Sequence, residues 1–198
     1  MKPKRSLILC MVGLVGSGKS TVAKSFARGL KAEIVRSDDF RLELGKQGKP
    51  YERAVELVFA RTMELVRRGR NVVIDADVVQ ADKRRRLARE SKKLGSRVLY
   101  VRVVTDMDVM LGRIVVSSKK GLHPLFSQAS SAWEGPGKGA VIKIRELWRR
   151  TPHHYRWTEE GGGQWVLREL TFPLAATVDT TDGKTWKGQV AKLVKRLN

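Results

Sequence analysis

The sequence predicts an α/β fold in which five parallel strands form one sheet, helices cover both of its faces, and an insertion precedes the last strand. Short, continuously apolar runs are typical of buried parallel strands, and the first of these is Leu7–Val12. Segments with helical periodicity alternate with these runs, which indicates stacked βαβ units. A hydrophobic content of 41% over 198 residues is enough for a packed core.

The alternation can be followed element by element through residue 104. Four strands are predicted, at Leu7–Val12, Glu33–Arg36, 71–75 and Arg97–Val104. Helices are predicted between them at Lys19–Leu30, 51–68 and 82–94. The second helix has its apolar residues at helical spacing, and Gly69 marks its end.

Residues 105–165 interrupt this rhythm. Helices are predicted at 106–116 and 140–150, a loop rich in Ser, Gly and Pro at 117–139, and a turn at 159–163. A fifth strand at 175–179 and a closing helix restore the pattern. We therefore expect 1–198 to form a single domain, in which 105–165 is a lid and insertion.

The charge of the chain points to one class of partner. With 40 basic and 20 acidic residues the formal net charge is +20, and this excess is spread along the chain, which favours a polyanionic partner such as nucleic acid. Basic clusters at 67–70, 83–86 and 119–120 can equally be solvated faces.

Several classes of site are unfavourable. The single cysteine, Cys10, excludes internal disulfides and cysteine metal sites, and three histidines leave a zinc site short of ligands. No stretch approaches the ~20 apolar residues of a membrane span. We expect a soluble protein without a membrane partner, in a reduced, cytoplasmic setting.

The first strand leads into a Walker A motif, the G-x-x-x-x-G-K-[ST] pattern. Its glycines let backbone N–H groups surround phosphates at a helix N-terminus. The lysine then reaches the β- and γ-phosphates of ATP, and the Ser20 hydroxyl ligates Mg²⁺. The predicted cofactors are thus ATP and Mg²⁺, bound by Gly13, Gly16, Ser17, Gly18, Lys19 and Ser20.

A second motif, Ser37-Asp38-Asp39-Phe40-Arg41, follows the second strand at the edge where open α/β sheets bind ligands. A carboxylate here could accept the proton of an attacking hydroxyl, and the arginine could clamp a phosphate. Ser37 or Asp38 could also cap a helix, with Asp39 favouring the helix dipole. Both roles can hold at once, but capping alone would not require Arg41.

Together these motifs resemble the polynucleotide-kinase-type P-loop kinases, a group related to zeta-toxin and gluconate-kinase-like phosphotransferases. The similarity lies in the Walker A segment through Thr21, the Ser-Asp-Asp-Phe-Arg box and Gly-Arg-Asn-Val-Val-Ile-Asp-Ala ending at Ala76, and it covers about residues 5–115. It implies a P-loop NTPase/kinase fold and ATP-dependent phosphotransfer. By the same resemblance, Asp38 is the general base, Arg41 contacts the acceptor's phosphate and Thr21 touches the α-phosphate.

The resemblance extends to two further residues. Asp75 ends the third strand, where it could orient Mg²⁺-bound water or substrate or simply cap the next turn. It is followed by Ala76 and Asp77, a carboxylate where the family usually has an amide. Arg113 occupies the place of a first lid arginine, although it can also be a solvated helix residue. The second lid arginine is replaced by Lys119 and Lys120.

Aromatic and basic residues alternate late in the insertion, at Trp148, Tyr155, Trp157 and Trp165 with arginines and histidines between them. Exposed aromatics beside cations would stack on unpaired bases. Because tryptophan is mostly buried in proteins, a small core with Trp148 and Trp157 inside is the simpler interpretation.

We therefore predict an ATP-dependent kinase whose acceptor is a polynucleotide 5′-hydroxyl. A small-molecule kinase acting on a sugar, nucleotide-sugar or antibiotic is the first alternative. A non-catalytic, nucleotide-gated nucleic-acid-binding protein is the second. The sequence leaves open the choice between RNA and DNA and the oligomeric state.

Overall fold

The computed structural model describes residues 5–118 and 131–198. Five strands form a parallel sheet in the order β2-β3-β1-β4-β7, and two more form an antiparallel hairpin, β5-β6. The strands are β1 (Leu7–Val12), β2 (Glu33–Arg36), β3 (Val72–Asp75), β4 (Arg97–Val104), β5 (Tyr155–Thr158), β6 (Gln164–Leu167) and β7 (Ala176–Asp179). The predicted five-stranded parallel sheet is confirmed.

Seven α-helices connect and follow the strands within the described ranges. They are α1 (Lys19–Leu30), α2 (Ser37–Lys46), α3 (Ala54–Arg67), α4 (Ala81–Lys93), α5 (Met107–Ser118), α6 (Lys138–Arg150) and α7 (Trp186–Leu197). The predicted helix 51–68 begins as a 3₁₀ turn at Tyr51–Arg53 and becomes α-helical only from Ala54. The residues 119–130, with Lys119 and Lys120, lie outside the described residues.

The central strand shows why the sheet needs helices on both faces. All six residues of β1 are buried, and successive side chains point to opposite faces. Leu9 and Met11 pack in the cluster that contains Phe26 and Val190. Ile8 belongs to the opposite cluster. A strand buried on both sides has no polar face, which explains its continuous apolar run.

A third hydrophobic cluster joins the insertion to the loop that follows β1. Leu14, Met110, Ile114, Leu147 and Tyr155 are buried together there. The Tyr155 hydroxyl donates a hydrogen bond to the Thr105 carbonyl oxygen at 3.2 Å. This packing holds the second half of the insertion against the loop that follows β1.

The segment 151–167 differs from the prediction. Only a turn was expected, but its two flanks form the β5–β6 hairpin, in which Trp157 faces Trp165. A buried arginine on the main sheet, Arg102, fixes the hairpin's base. Its guanidinium donates to the carbonyl oxygens of His154 and Arg168, both at 2.7 Å. In the described residues no helix is long and apolar enough to cross a membrane.

Candidate active site at the carboxyl edge of the sheet

The loop between β1 and α1 has the conformation that its glycines predict. Gly16 and Gly18 have φ values of 83° and 84°, a region that favours glycine, and α1 begins directly after Gly18. A Cβ on Gly13 would lie 2.4 Å from the Val103 carbonyl oxygen. The loop therefore runs against β4 with no space for a side chain at its first residue.

Two threonines, which directly follow β4 and β7, support the middle of this loop. The Ser17 carbonyl oxygen accepts hydrogen bonds from Thr105 Oγ1 at 3.1 Å and from Thr180 Oγ1 at 2.7 Å. Ser17 is buried, and its own hydroxyl has no partner among the described residues. A buried hydroxyl without a partner is costly, so this loop contains a polar group that a ligand or water would satisfy.

Lys19 is half-buried at the first turn of α1, beside the inner surface of the loop. Its Nζ donates to the Leu14 carbonyl oxygen at 3.1 Å. Burial lowers the pKa of Lys19, and the charges of Asp77, Asp75 and Asp38 oppose that shift. The lysine thus lies near all three carboxylates at this edge.

The predicted catalytic pair of α2 is in contact. Arg41 Nη1 lies 3.5 Å from Asp38 Oδ1, and both side chains are partly exposed. Capping by Ser37 or Asp38 is wrong, whereas Asp39 does lie in the first turn, where its charge favours the helix dipole. The helix begins at Ser37, with Arg36 at the N-cap, and no side chain caps it. Both Asp38 and Asp39 lie in its first turn instead.

Asp75 is buried at the end of β3, in register with Arg36 at the end of β2. Arg36 Nε donates to Asp75 Oδ2 at 3.3 Å, and its Nη1 contacts Asp39 Oδ1 at 3.2 Å. Arg36 is a residue that the sequence analysis missed. Its signal was its position as the last residue of a strand next to β3.

The predicted metal residues, Ser20 and Asp75, are too few for a complete protein cage. Among residues 5–118 and 131–198 no group of three or more His, Cys, Asp or Glu side chains could hold a metal ion. Mg²⁺ usually keeps several waters and takes one or two protein ligands together with substrate phosphates. One hydroxyl and one carboxylate at a phosphate loop therefore fit a magnesium ion that arrives with a nucleotide.

Arg113 faces the phosphate loop rather than open solvent. Its Nη1 donates to Thr180 Oγ1 at 3.0 Å, and its guanidinium also contacts the Thr180 carbonyl oxygen. A Cβ placed on Gly18 would lie 3.7 Å from the same Nη1. The predicted lid arginine is thus beside the last glycine of the loop, while Thr21 is exposed on the first turn of α1.

Three further residues at this edge were not predicted as site residues. Asp77 accepts a hydrogen bond from the Gly13 N–H at 3.2 Å, and its other oxygen lies 3.0 Å from His154 Nε2. Arg150 Nη1 is 3.7 Å from the same oxygen. Burial opposes ionisation of Asp77, yet His154, Lys19 and the Gly13 N–H together lower its pKa.

The aromatic residues of the insertion are not in a core. Trp148 is 77% exposed, Trp157 49% and Trp165 40%, so the expected burial of Trp148 and Trp157 is wrong. The rings of Trp157 and Trp165 meet edge to face, with centroids 5.4 Å apart. Tyr155 alone among the four points into the protein.

The architecture and the phosphate loop define the class of this protein, which has the fold of the P-loop kinases. Residues 8–128 match the family model described as an AAA domain, and the chain belongs to that family. No curated protein matches the sequence closely enough to suggest a relationship.

Solved structures support the same fold at low sequence identity. A putative kinase from Chloroflexus aurantiacus has a TM-score of 0.65 and 16% identity, with 98% of each chain covered. An APS kinase from Mycobacterium tuberculosis, in complex with AMPPNP and APS, has a TM-score of 0.60 and 17% identity over 98% of this chain and 99% of its own. A gluconokinase from Sinorhizobium meliloti has a TM-score of 0.52 and 14% identity over 100% and 95%.

Proposed function

We propose that the protein is an ATP- and Mg²⁺-dependent kinase that transfers the γ-phosphoryl group to a hydroxyl, with a polynucleotide 5′-hydroxyl as the acceptor. One observation carries the phosphotransfer proposal. A phosphate loop with Lys19 lies at the same sheet edge as a carboxylate and arginine in contact, Asp38 and Arg41. A simple nucleotide switch would not need that second pair.

The reaction follows from these positions. Backbone N–H groups of the loop and Lys19 hold the β- and γ-phosphates, and Lys19 offsets negative charge in the transition state. Asp38 accepts the acceptor's proton as the hydroxyl oxygen bonds to the γ-phosphorus. The bond from that phosphorus to the β–γ bridging oxygen breaks, and ADP leaves. A magnesium ion held by Ser20 and Asp75 would neutralise charge on the phosphates.

Arg41 is free to change partner during this sequence. Its contact with Asp38 is long for an ion pair, at 3.5 Å, and lies at a partly exposed position. Such a pair contributes little stability, on the order of 0–1 kcal/mol. An acceptor phosphate could therefore take the guanidinium in a bidentate contact and leave the Asp38 carboxylate facing the hydroxyl.

The polynucleotide acceptor is supported by charge and by the hairpin. The net charge of +20 attracts polyanions, and Trp148, Trp157 and Trp165 present exposed rings. Successive bases can stack on such rings whatever their sequence. The competing proposal is a small-molecule kinase, which is the activity named for the gluconokinase and the APS kinase of the same fold.

The deciding experiment is incubation with γ-labelled ATP and Mg²⁺ and a panel of acceptors. The panel holds hydroxyl-ended RNA and DNA oligonucleotides, nucleosides, sugars and nucleotide-sugars. We expect label on oligonucleotide ends, and we expect Lys19→Ala to abolish it. Lys24→Ala, an exposed lysine on the same helix, is the matched control and should transfer normally.

Other outcomes would redirect the proposal. Label on a sugar but on no oligonucleotide favours the small-molecule kinase. Saturable oligonucleotide binding that depends on ATP, without transfer to any acceptor, favours the nucleotide-gated binding protein.

A further inference from the structure

Asp77 connects the first residue of the phosphate loop to the insertion. Its Oδ1 accepts the Gly13 N–H, and its Oδ2 faces His154 Nε2 at 3.0 Å. The side chain of Asp77 is 5% exposed and that of His154 is 1% exposed. A carboxylate buried this deeply is tolerated only when it is paired, and here its partners come from two distant parts of the chain.

Hydrogen bonds to the backbone of His154, one of them from the main sheet, fix the position of this residue. The backbone N–H of His154 donates to the Thr151 carbonyl oxygen at 2.9 Å, and the backbone carbonyl oxygen of His154 accepts from Arg102 at 2.7 Å. Arg102 lies on β4, the strand that also borders the phosphate loop. The imidazole therefore has little freedom to move away from Asp77.

The same contact orients a guanidinium of the insertion. Arg150, the last residue of α6, lies between Asp77 Oδ2 at 3.7 Å and Glu146, which its Nε contacts. Because Asp77 also accepts the Gly13 N–H, its carboxylate lies between this guanidinium and the first residue of the phosphate loop. Glu146 and Asp77 together hold this arginine half-buried at the site.

We propose that Asp77 and His154 act as a positioning pair, which holds the phosphate loop at Gly13 and the insertion's Arg150 in one fixed arrangement around the nucleotide phosphates. This inference rests on the proposed nucleotide-dependent function. It makes the insertion a structural part of the nucleotide site as well as a region for the acceptor. Neither residue touches the reacting atoms, so both act through the groups that they hold.

The test measures binding of a non-hydrolysable ATP analogue to His154→Leu, Asp77→Leu and the double variant of the full chain. We expect each single variant to weaken binding about tenfold, since small misplacements in a site can cost up to about 10²-fold. The double variant should bind about as weakly as either single variant, because the two side chains act as one unit.

Two further variants separate positioning from general stability. A glutamine side chain can place an amide N–H where His154 Nε2 lies, so His154→Gln should restore binding to within about twofold of the unaltered protein. His153→Leu changes the exposed neighbour and should leave binding unchanged. Thermal unfolding without nucleotide, recorded for every variant, identifies the temperature range in which all of them are folded.

The outcomes distinguish the two proposals. If the unaltered protein does not bind the nucleotide analogue, the proposed function fails. If it binds the analogue but folded His154→Leu binds equally tightly, or if the effects of the two single variants multiply, the positioning pair is wrong and the proposed function stands.

Discussion

Asp38 has the most demanding task of any single residue in the proposed reaction, because it must accept the proton of the acceptor hydroxyl. Its observed partner, Arg41, lies one helical turn further along α2. Residues three apart on a helix meet on one face, so this pairing is local. The two residues can therefore serve one acceptor from one helix.

We predict that Asp38→Asn keeps ATP binding and lowers kcat by about 10²–10⁴-fold, the usual effect of removing a general base. The amide keeps the shape and the hydrogen-bonding capacity of the side chain but cannot take the proton. Steady-state transfer from γ-labelled ATP, with the nucleotide Kd measured separately, checks both parts.

Asp39→Asn is the matched control one residue further on. Asp39 is exposed and contacts Arg36 rather than Arg41. We expect a change in kcat of less than about fivefold, since an exposed ion pair contributes little. The reverse result, with Asp39→Asn inactive and Asp38→Asn active, would move the base by one residue.

The sequence could identify the phosphate loop and the α2 motif because both are local patterns. Each motif is a short contiguous stretch of sequence, at 13–20 and 37–41. The Asp77–His154 contact joins residues 77 positions apart. No local sequence pattern connects these two residues. They meet only in the folded protein, where Arg102 holds the backbone of His154 at the base of the hairpin.

At the scale of elements, the strands were the easiest to predict. The structure gives β1, β2 and β4 the predicted bounds. The six residues of β1 are all buried, as its continuous apolar run indicated. The turn of the β5–β6 hairpin was predicted, but its strands were missed because they are short, four residues each, and carry exposed tryptophans. Such a hairpin has little of the alternation between buried apolar and exposed polar residues by which strands are recognised in a sequence.

The contact between α1 and α7 gives a test of helix packing. A Cβ on Gly29 would lie 2.8 Å from both methyl carbons of Val194. We predict that Gly29→Ala lowers the free energy of unfolding by about 1–3 kcal/mol, the usual cost of overpacking with a stiff, branched neighbour. Urea denaturation followed by circular dichroism measures this change.

Gly188 provides the control for helix propensity within α7 itself. It is exposed, and nothing lies within 4 Å of its would-be Cβ. Gly188→Ala should raise the free energy of unfolding by about 0.5–1 kcal/mol, because alanine loses less entropy in a helix. Equal shifts of the same sign for both variants would contradict the packing argument.

For the whole molecule, the basic excess is not uniformly available to a partner. Arg68, Arg70 and Arg86 pair with Glu64, Glu33 and Glu56. The guanidiniums of Arg84 and Arg86 also lie over aromatic rings. Several arginines of the basic clusters therefore already have acidic or aromatic partners within the protein. The net charge of +20 thus overstates the number of cations that can contact phosphates of a partner.

A salt titration counts the contacts that remain available. If the acceptor is a polynucleotide, log affinity should fall with log salt at a slope of about −3 or steeper, at roughly 0.7 per phosphate contact on a single strand. Trp157→Ala should weaken oligonucleotide binding by about 1–3 kcal/mol if the ring stacks on a base. Trp133→Ala, with a similarly exposed ring outside 148–165, is the control and should change little.

ATP affinity should be unchanged in both variants, because neither ring lies at the phosphate loop. A shallow slope without saturable binding at physiological salt would instead support a small-molecule acceptor, and the charge of +20 would then serve solubility or nonspecific attraction.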